Sequence, residues 1–198
     1  MSLTLTHKDL LELKHWLRAD MGDERAQLKQ YLEALGITVP RGHAQILEIG
    51  TGPHWGLLPY LDAHLKFAVD PLFPVYHAAG ILEDRGDIRQ VDECFERWDT
   101  NETFDAILTT NALDHGEMDF YVVLKVARLL KPGGRFYLHV NLRPPELLNL
   151  IHDHSLTEEK LDKHLSYTNL FEERRVILDQ DLDGFPCRTL VGVWRKLA

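Results

Sequence analysis

The residues best placed to do chemistry cluster around one short stretch. Ile46-Leu47-Glu48-Ile49 runs into Gly50-Thr51-Gly52-Pro53-His54-Trp55-Gly56. Two glycines one residue apart, closing an apolar run, let a ligand approach bare backbone. A side chain there would fill the space, and left-handed backbone angles cost other residues about 1–2 kcal/mol. Glu48 puts a carboxylate beside the turn, which suits a cationic or hydroxyl-rich ligand better than a bare pyrophosphate. A second acid, Asp70, closes Phe67-Ala68-Val69-Asp70, eighteen residues after Gly52. At the end of the second strand of a doubly wound sheet, a carboxylate can accept both hydroxyls of a ribose. The plainer reading of Asp70 is a turn acid before Pro71.

Two cofactor classes compete for this loop. A dinucleotide site wants Gly-x-Gly-x-x-Gly. Here Gly56 comes one position late, and Trp55 stands where the close-packing glycine belongs. S-adenosylmethionine is the alternative, because its sulfonium and ammonium groups tolerate the acid.

The elements that must position these groups follow from the rest of the pattern. Residues 7 to 36 read as two amphipathic helices, the second with Asp23 as N-cap, Leu28, Tyr31, Leu32 and Leu35 at helical spacing, and Gly36 as its stop. After a linker at Val39–Gly42, strand and helix signals alternate, which implies βαβ units and a mostly parallel sheet. Strands are expected at Gln45–Ile49, Lys66–Val69, Ile88–Val91, Phe104–Thr109 and Gly134–Asn141. Helices are expected from about Trp55 to His64, Val75 to Leu82, Asp92 to Trp98 and Met118 to Leu130. Pro144-Pro145-Glu146 opens a short helix, and Leu156-Thr157-Glu158-Glu159 caps another. Arg174–Asp179 and Arg188–Arg195 form a hairpin with Gly184 in its turn. The expected division is a helical extension over residues 1–40 and one compact α/β domain over residues 41–198.

Composition narrows the function classes. The 198 residues suit one domain, and the formal net charge of −9 disfavours a partner held by phosphate contacts, so nucleic acid is an unlikely partner. The adjacent pair Arg174-Arg175 follows Glu172-Glu173, which largely cancels its field. No apolar run reaches the roughly twenty residues that span a bilayer. Two cysteines, Cys94 and Cys187, make neither a disulfide framework nor a metal cluster, which points to a reducing, cytoplasmic setting.

Taken together, several motifs carry a resemblance. Leu47–Gly52, Val69-Asp70, Phe104–Leu108, Asn111-Ala112-Leu113-Asp114-His115 and Ala127–Gly134 resemble, in order and spacing, the class I S-adenosylmethionine-dependent methyltransferases from about residue 44 to residue 141. The resemblance implies a doubly wound, seven-stranded, mostly parallel sheet with an antiparallel C-terminal hairpin strand. It also implies that Gly50, Thr51 and Gly52 pack under the cofactor, with Glu48 near its amino-acid end and Asp70 on the ribose. Asp92 and Glu93 match the place of an acid that accepts the adenine amino group, although Gly86-Asp87 can be aligned there instead. Asn111 and Ala112 would line the crevice. His115 would lie near the departing methyl group, where an imidazole titrating near neutrality could take a proton from an attacking hydroxyl or amine. The alternative for His115 is a structural role in its loop. His54 stands where the family often has a third glycine or another small residue, and Trp55 is bulky; the two either shield the cofactor's methionine end or narrow the site, and the alternative for Trp55 is plain core.

The Asn/Asp-Pro-Pro-aromatic clamp of enzymes that methylate exocyclic base nitrogens is missing after Thr109-Thr110-Asn111-Ala112. Pro186-Cys187 lies too far along the chain to be a nucleophile here, so Cys187 reads as packing. His152 and His154 make a poor metal pair and read as a loop over the site. His139, Asn141 and Arg143 are further candidates to touch a substrate. The expected activity is methyl transfer to oxygen or nitrogen of a small polar molecule. A non-catalytic cofactor-binding or scaffold protein of the same fold is the alternative. A weaker rival is a nicotinamide-dependent oxidoreductase, on the Tyr121-x-x-x-Lys125 spacing.

Overall fold

A computed structural model describes residues 42–115, 119–142, 155–182 and 185–198, together with residues 10, 11, 13, 14, 30, 32, 33 and 36. Seven strands form one sheet: β1 (Gly42–Ile49), β2 (Ala63–Val69), β3 (Ile88–Val91), β4 (Phe104–Thr110), β5 (Leu130–Leu142), β6 (Leu170–Leu182) and β7 (Phe185–Lys196). Their order is β3-β2-β1-β4-β5-β7-β6. The first five run parallel, and β7 is antiparallel to both β5 and β6. Chain order reverses between β1 and β4, so a crevice opens beyond the carboxyl ends of those two strands. The sheet and its terminal hairpin match the expected fold class, and both hairpin strands are longer than the sequence pattern marks.

Strand periodicity builds the two faces of the core. Leu47, Phe67, Ile107 and Leu138 point to one face, under helix α2 (Asp119–Leu129) and helix α3 (Glu158–Ser166). Ile46, Ala68, Leu108 and Tyr137 point to the other, under Leu57, Leu58 and helix α1 (Phe73–Ala78). Central strands covered on both faces read as unbroken apolar runs, which is why β1 and β4 stand out in the sequence. Thr157 caps α3 as expected, its hydroxyl accepting the Lys160 amide at 3.2 Å.

Near the N-terminus the described residues 10, 11, 13, 14, 30, 32 and 33 are helical, and Leu32 is buried against the second face. Gly36, at φ +74°, donates its amide to the Glu33 carbonyl, as a helix stop does. The Asp23 cap, the helix at Pro144-Pro145-Glu146, the residues Arg143, His152 and His154, and the turn glycine Gly184 lie outside the described residues.

Two expected helices are absent. In place of a helix over Trp55–His64 there is a run of turns and one 3-10 turn at Leu58–Tyr60. Trp55 (φ +62°) and Gly56 (φ +56°) are left-handed, and Pro59 would break an α-helix by removing a donor and clashing with the preceding turn. The leucines still reach the core, because i to i+3 bonds from Leu58, Tyr60 and Leu61 curl the chain enough to bury them. The segment Asp92–Trp98 is likewise a turn, with Arg97 and Trp98 both donating to the Cys94 carbonyl. Three further carbonyls, on Phe95, Glu96 and Trp98, accept from the ammonium of Lys125 on α2.

Candidate cofactor site

β1 delivers Glu48 and the glycine turn to the mouth of the crevice. Glu48 is fully buried, and its carboxylate accepts the Leu57 amide at 2.7 Å and the Thr110 hydroxyl at 2.8 Å. One side chain therefore holds the returning end of the loop and ties it to the end of β4. A Cβ at Gly56 would overlap that carboxylate, so glycine is required there by space as well as by its positive φ.

The loop between them is a tight curl. Gly56 donates to the Thr51 carbonyl at 2.9 Å, and Thr51 is fully buried. The Gly50 amide continues the sheet by donating to the Val69 carbonyl at 2.8 Å. Its bare Cα faces Ala112, and a Cβ on Gly50 would overlap the Ala112 methyl. The glycine turn and the segment after β4 thus touch.

Asp70 closes the arrangement from β2. Its Oδ2 accepts the Gly52 amide at 2.8 Å and its Oδ1 the Leu72 amide at 2.9 Å. Two backbone donors fix the orientation of this carboxylate. The Asp70 amide in turn donates to the Val91 carbonyl at 3.1 Å, which sets Asp92 beside it at the end of β3. Asp92 and Glu93 are exposed, and Asp92 accepts from the Gln90 side-chain amide. Glu48, Gly50, Thr51, Gly52, Asp70, Asn111 and Ala112 therefore lie together at the carboxyl ends of β1, β2 and β4, with Asp92 and Glu93 just beyond the end of β3.

Asn111 follows β4 in a left-handed conformation, φ +55°, with its amide donated to the His139 carbonyl at 2.7 Å. His115 ends a 3-10 turn at Leu113–His115, half-buried, its amide on the Ala112 carbonyl. The side chain of Asp114 lies outside the described residues. His139 sits on β5 in register with Thr110, while Asn141 accepts the Thr189 hydroxyl at 2.7 Å inside the sheet, away from the crevice.

His54 and Trp55 turn toward the segment around Glu83. The Trp55 ring is buried against Phe73, centroids 4.9 Å apart, and its indole N–H donates to the Glu83 carbonyl at 3.0 Å. His54 Nδ1 lies 3.1 Å from Glu83 Oε1. Burial pushes the Glu83 carboxyl up, but hydrogen bonds from His54 and Arg85 outweigh it and hold the group below its usual range. Both residues anchor the loop to the segment behind α1. Thr110 and Glu83 are the two members of the site that sequence reasoning missed. The alternation of β4 offers a signal for Thr110, since it shares a face with Leu108; nothing local marks Glu83.

Two other candidates resolve as structural. Cys187 is buried with its Sγ 3.7 Å from the Leu142 carbonyl. Tyr121 is exposed while Lys125 serves the turn at 95–98, so this pair does not face the crevice.

The crevice is acidic. Glu48, Asp70, Asp92 and Glu93 border it, and no lysine or arginine stands among the described residues of the strand ends at 48–57, 70–72, 91–94, 111–115 and 140–142. No helix of eight or more residues starts at the glycine turn, so no helix dipole faces a phosphate there. This donor set fits a cationic nucleoside cofactor and does not fit a pyrophosphate.

The chain has the fold of the class I S-adenosylmethionine-dependent methyltransferases. No family model and no curated protein matches the sequence. Among solved structures, a chain of the complex between the Haloferax volcanii Trm112 methyltransferase activator and a candidate methyltransferase is 16% identical, with a TM-score of 0.75 over 99% of this chain and 100% of that one. The N-methyltransferase NodS from Bradyrhizobium japonicum WM9, in complex with S-adenosyl-L-homocysteine, is 18% identical, with a TM-score of 0.66 over 96% and 98%. The [4+2]-cyclase SpnF is 12% identical, with a TM-score of 0.68 over 91% and 84%. No helix among the described residues is long and apolar enough to cross a membrane.

Proposed function

We propose that the protein is an S-adenosylmethionine-dependent methyltransferase acting on oxygen or nitrogen of a small polar molecule. The observation that carries this reading is the bond from the Gly52 amide to Asp70, which joins the glycine turn to an oriented carboxylate at the reversal of strand order. Gly50, Thr51 and Gly52 would lie under the cofactor, Glu48 toward its amino-acid end, Asp70 on the ribose, and Asp92 or Glu93 near the adenine. Asn111 and Ala112 would form the wall toward the acceptor.

Bound there, S-adenosylmethionine supplies an activated methyl group on a positively charged sulfur. The protein's part is mostly alignment, which lowers a barrier by about 7–11 kcal/mol in favourable cases. His115 would remove a proton from the acceptor, a role worth about 10²–10⁴ in rate. Residues 1–40 would be an extension of this unit, which Leu32 contacts on the second face of the core. The domain proper is then residues 41–198.

Calorimetry with S-adenosylmethionine tests the reading first. Micromolar binding in the wild type, weakened at least tenfold in Asp70→Asn, is expected; no binding at millimolar cofactor sinks it. His115→Ala should then lower turnover with cofactor affinity nearly unchanged, and equal turnover would remove His115 as the base. A fold shared with the [4+2]-cyclase SpnF favours one rival, that of a binder without methyl transfer. Cofactor binding without S-adenosylhomocysteine release on any acceptor favours that rival.

A further inference from the structure

The segment after β3 folds in a costly way. A helix over Asp92–Trp98 would satisfy its own carbonyls, but the helix-like bonds here are those of Arg97 and Trp98, both to the Cys94 carbonyl. The carbonyls of Phe95, Glu96 and Trp98 turn instead to the ammonium of Lys125, which also sits 4.8 Å from the centre of the Phe95 ring. Lys125 is half-buried, and no carboxylate bonds it among the described residues. Burial, and after it the charge of Arg128, hold its pKa below the usual lysine range, against the pull of Asp99, Glu96 and Glu93. A partly desolvated ammonium devoted to three backbone carbonyls needs a reason.

What the arrangement gains is position. The Val91 carbonyl is fixed by the Asp70 amide at 3.1 Å, and the Phe95 side chain is buried in the first face of the core. Asp92, Glu93 and Cys94 are therefore strung between two anchored points, one beside Asp70 and the other at the Lys125 clamp. Both acids stay exposed. A helix starting at Asp92 would instead wind successive side chains about 100° apart round its axis.

We propose that Lys125 is a positioning residue for the cofactor's base: by clamping the turn at 94–98 it presents Asp92 and Glu93 to the exocyclic amino group of adenine, and so selects adenine over bases with a carbonyl there. The proposal rests on the methyltransferase reading and goes beyond it, because Lys125 acts only through the turn. An ionised carboxylate accepts hydrogen bonds and gives none, so it attracts an N–H and repels a carbonyl oxygen at the same place. Exchanging a bond to a charged group for that repulsion is worth about tenfold or more in affinity. Selection of that size needs acids held in place. A carboxylate on a loose segment turns away from the wrong base and loses the contrast.

Calorimetry on the full-length chain with two ligands tests this without turnover. S-adenosylhomocysteine carries the amino group, and S-inosylhomocysteine has a carbonyl oxygen in its place. Wild type should bind the first about tenfold more tightly, or better. Lys125→Met should weaken S-adenosylhomocysteine about tenfold and leave S-inosylhomocysteine within about threefold, so that the preference collapses. Gly80→Ala, strained at φ +68° with open space around its Cβ, is a destabilised control that should keep the wild-type preference. Should Lys125→Met fail to fold, hydrogen exchange on the wild type decides. S-adenosylhomocysteine should slow exchange across residues 92–98, and S-inosylhomocysteine at equal occupancy should do so much less. A Lys125→Met variant with the wild-type preference overturns the proposal, as does one that loses affinity for both ligands equally. So does a wild type that binds the two ligands equally well, or one whose exchange at 92–98 ignores which ligand is bound. Failure of the wild type to bind either ligand marks the broader reading as wrong instead.

Discussion

Gly50 and Gly80 offer a controlled comparison, because both sit at φ +68° and differ only in what surrounds them. A Cβ on Gly80 meets nothing within 4 Å, whereas one on Gly50 overlaps the methyl of Ala112. Gly80→Ala should therefore cost only the left-handed backbone penalty, about 1–2 kcal/mol. Gly50→Ala should add an overpacking cost of about 1–3 kcal/mol, for a total of about 2–5 kcal/mol. The entropy each alanine removes from the unfolded chain is the same and cancels between the two. For a chain of this size, a kcal/mol moves the melting temperature by roughly 2–4 °C. Scanning calorimetry should then find Gly80→Ala lower by roughly 2–8 °C and Gly50→Ala by roughly 4–20 °C. Adding Ala112→Gly to Gly50→Ala should recover about 1–3 kcal/mol, a coupling expected only of residues in contact. Equal costs for the two alanine variants, or no recovery in the double variant, would refute the claim that the glycine turn and the end of β4 touch.

Three further outcomes follow from the same geometry. Glu48→Gln keeps one acceptor oxygen but turns an N–H toward the Leu57 amide or the Thr110 hydroxyl, so it should destabilise by about 1–3 kcal/mol and speed hydrogen exchange at Leu57. Lys125→Met leaves the carbonyls of Phe95, Glu96 and Trp98 without their donor, and should cost about 1–3 kcal/mol with the largest loss of exchange protection at residues 94–98. Burial raises the Asp105 carboxyl, but bonds from the Gln45 amide and Lys131 outweigh it and hold the group below its usual range. A depressed carboxylate stabilises the fold above its unfolded pKa of about 3.9, and that contribution disappears as pH falls through the folded value. Urea unfolding should therefore separate wild type from Asp105→Asn at pH 7 and bring them together as pH falls through the folded value.

The strands were legible because the central ones are buried on both faces, so β1 and β4 read as short, mainly apolar runs. The glycine turn and Asp70 were legible because backbone constraint and strand-end position leave traces in residue type. The helix expected over Trp55–His64 was not, since Leu57, Leu58 and Leu61 carry helical spacing that a 3-10 turn satisfies as well. The helix expected at Asp92–Trp98 failed for a different reason. Its carbonyls are satisfied by Lys125, twenty-seven residues beyond Trp98, and no local pattern announces so distant a donor. Trp55 was ambiguous between a shield over the cofactor and plain core. The Phe73 ring and the Glu83 carbonyl decide for core, and neither is near it in sequence.

The brace that Glu48 makes between the glycine turn and Thr110 has a kinetic consequence. Because the glycine turn and the end of β4 are already locked to each other, the proposed function leaves little of that region to rearrange when a nucleoside cofactor binds. Capture should be a one-step encounter with no slow isomerisation trailing it. Telling the methylated from the demethylated nucleoside must then fall to direct contact with the charge on sulfur, not to a change in the shape of the bed on which it rests.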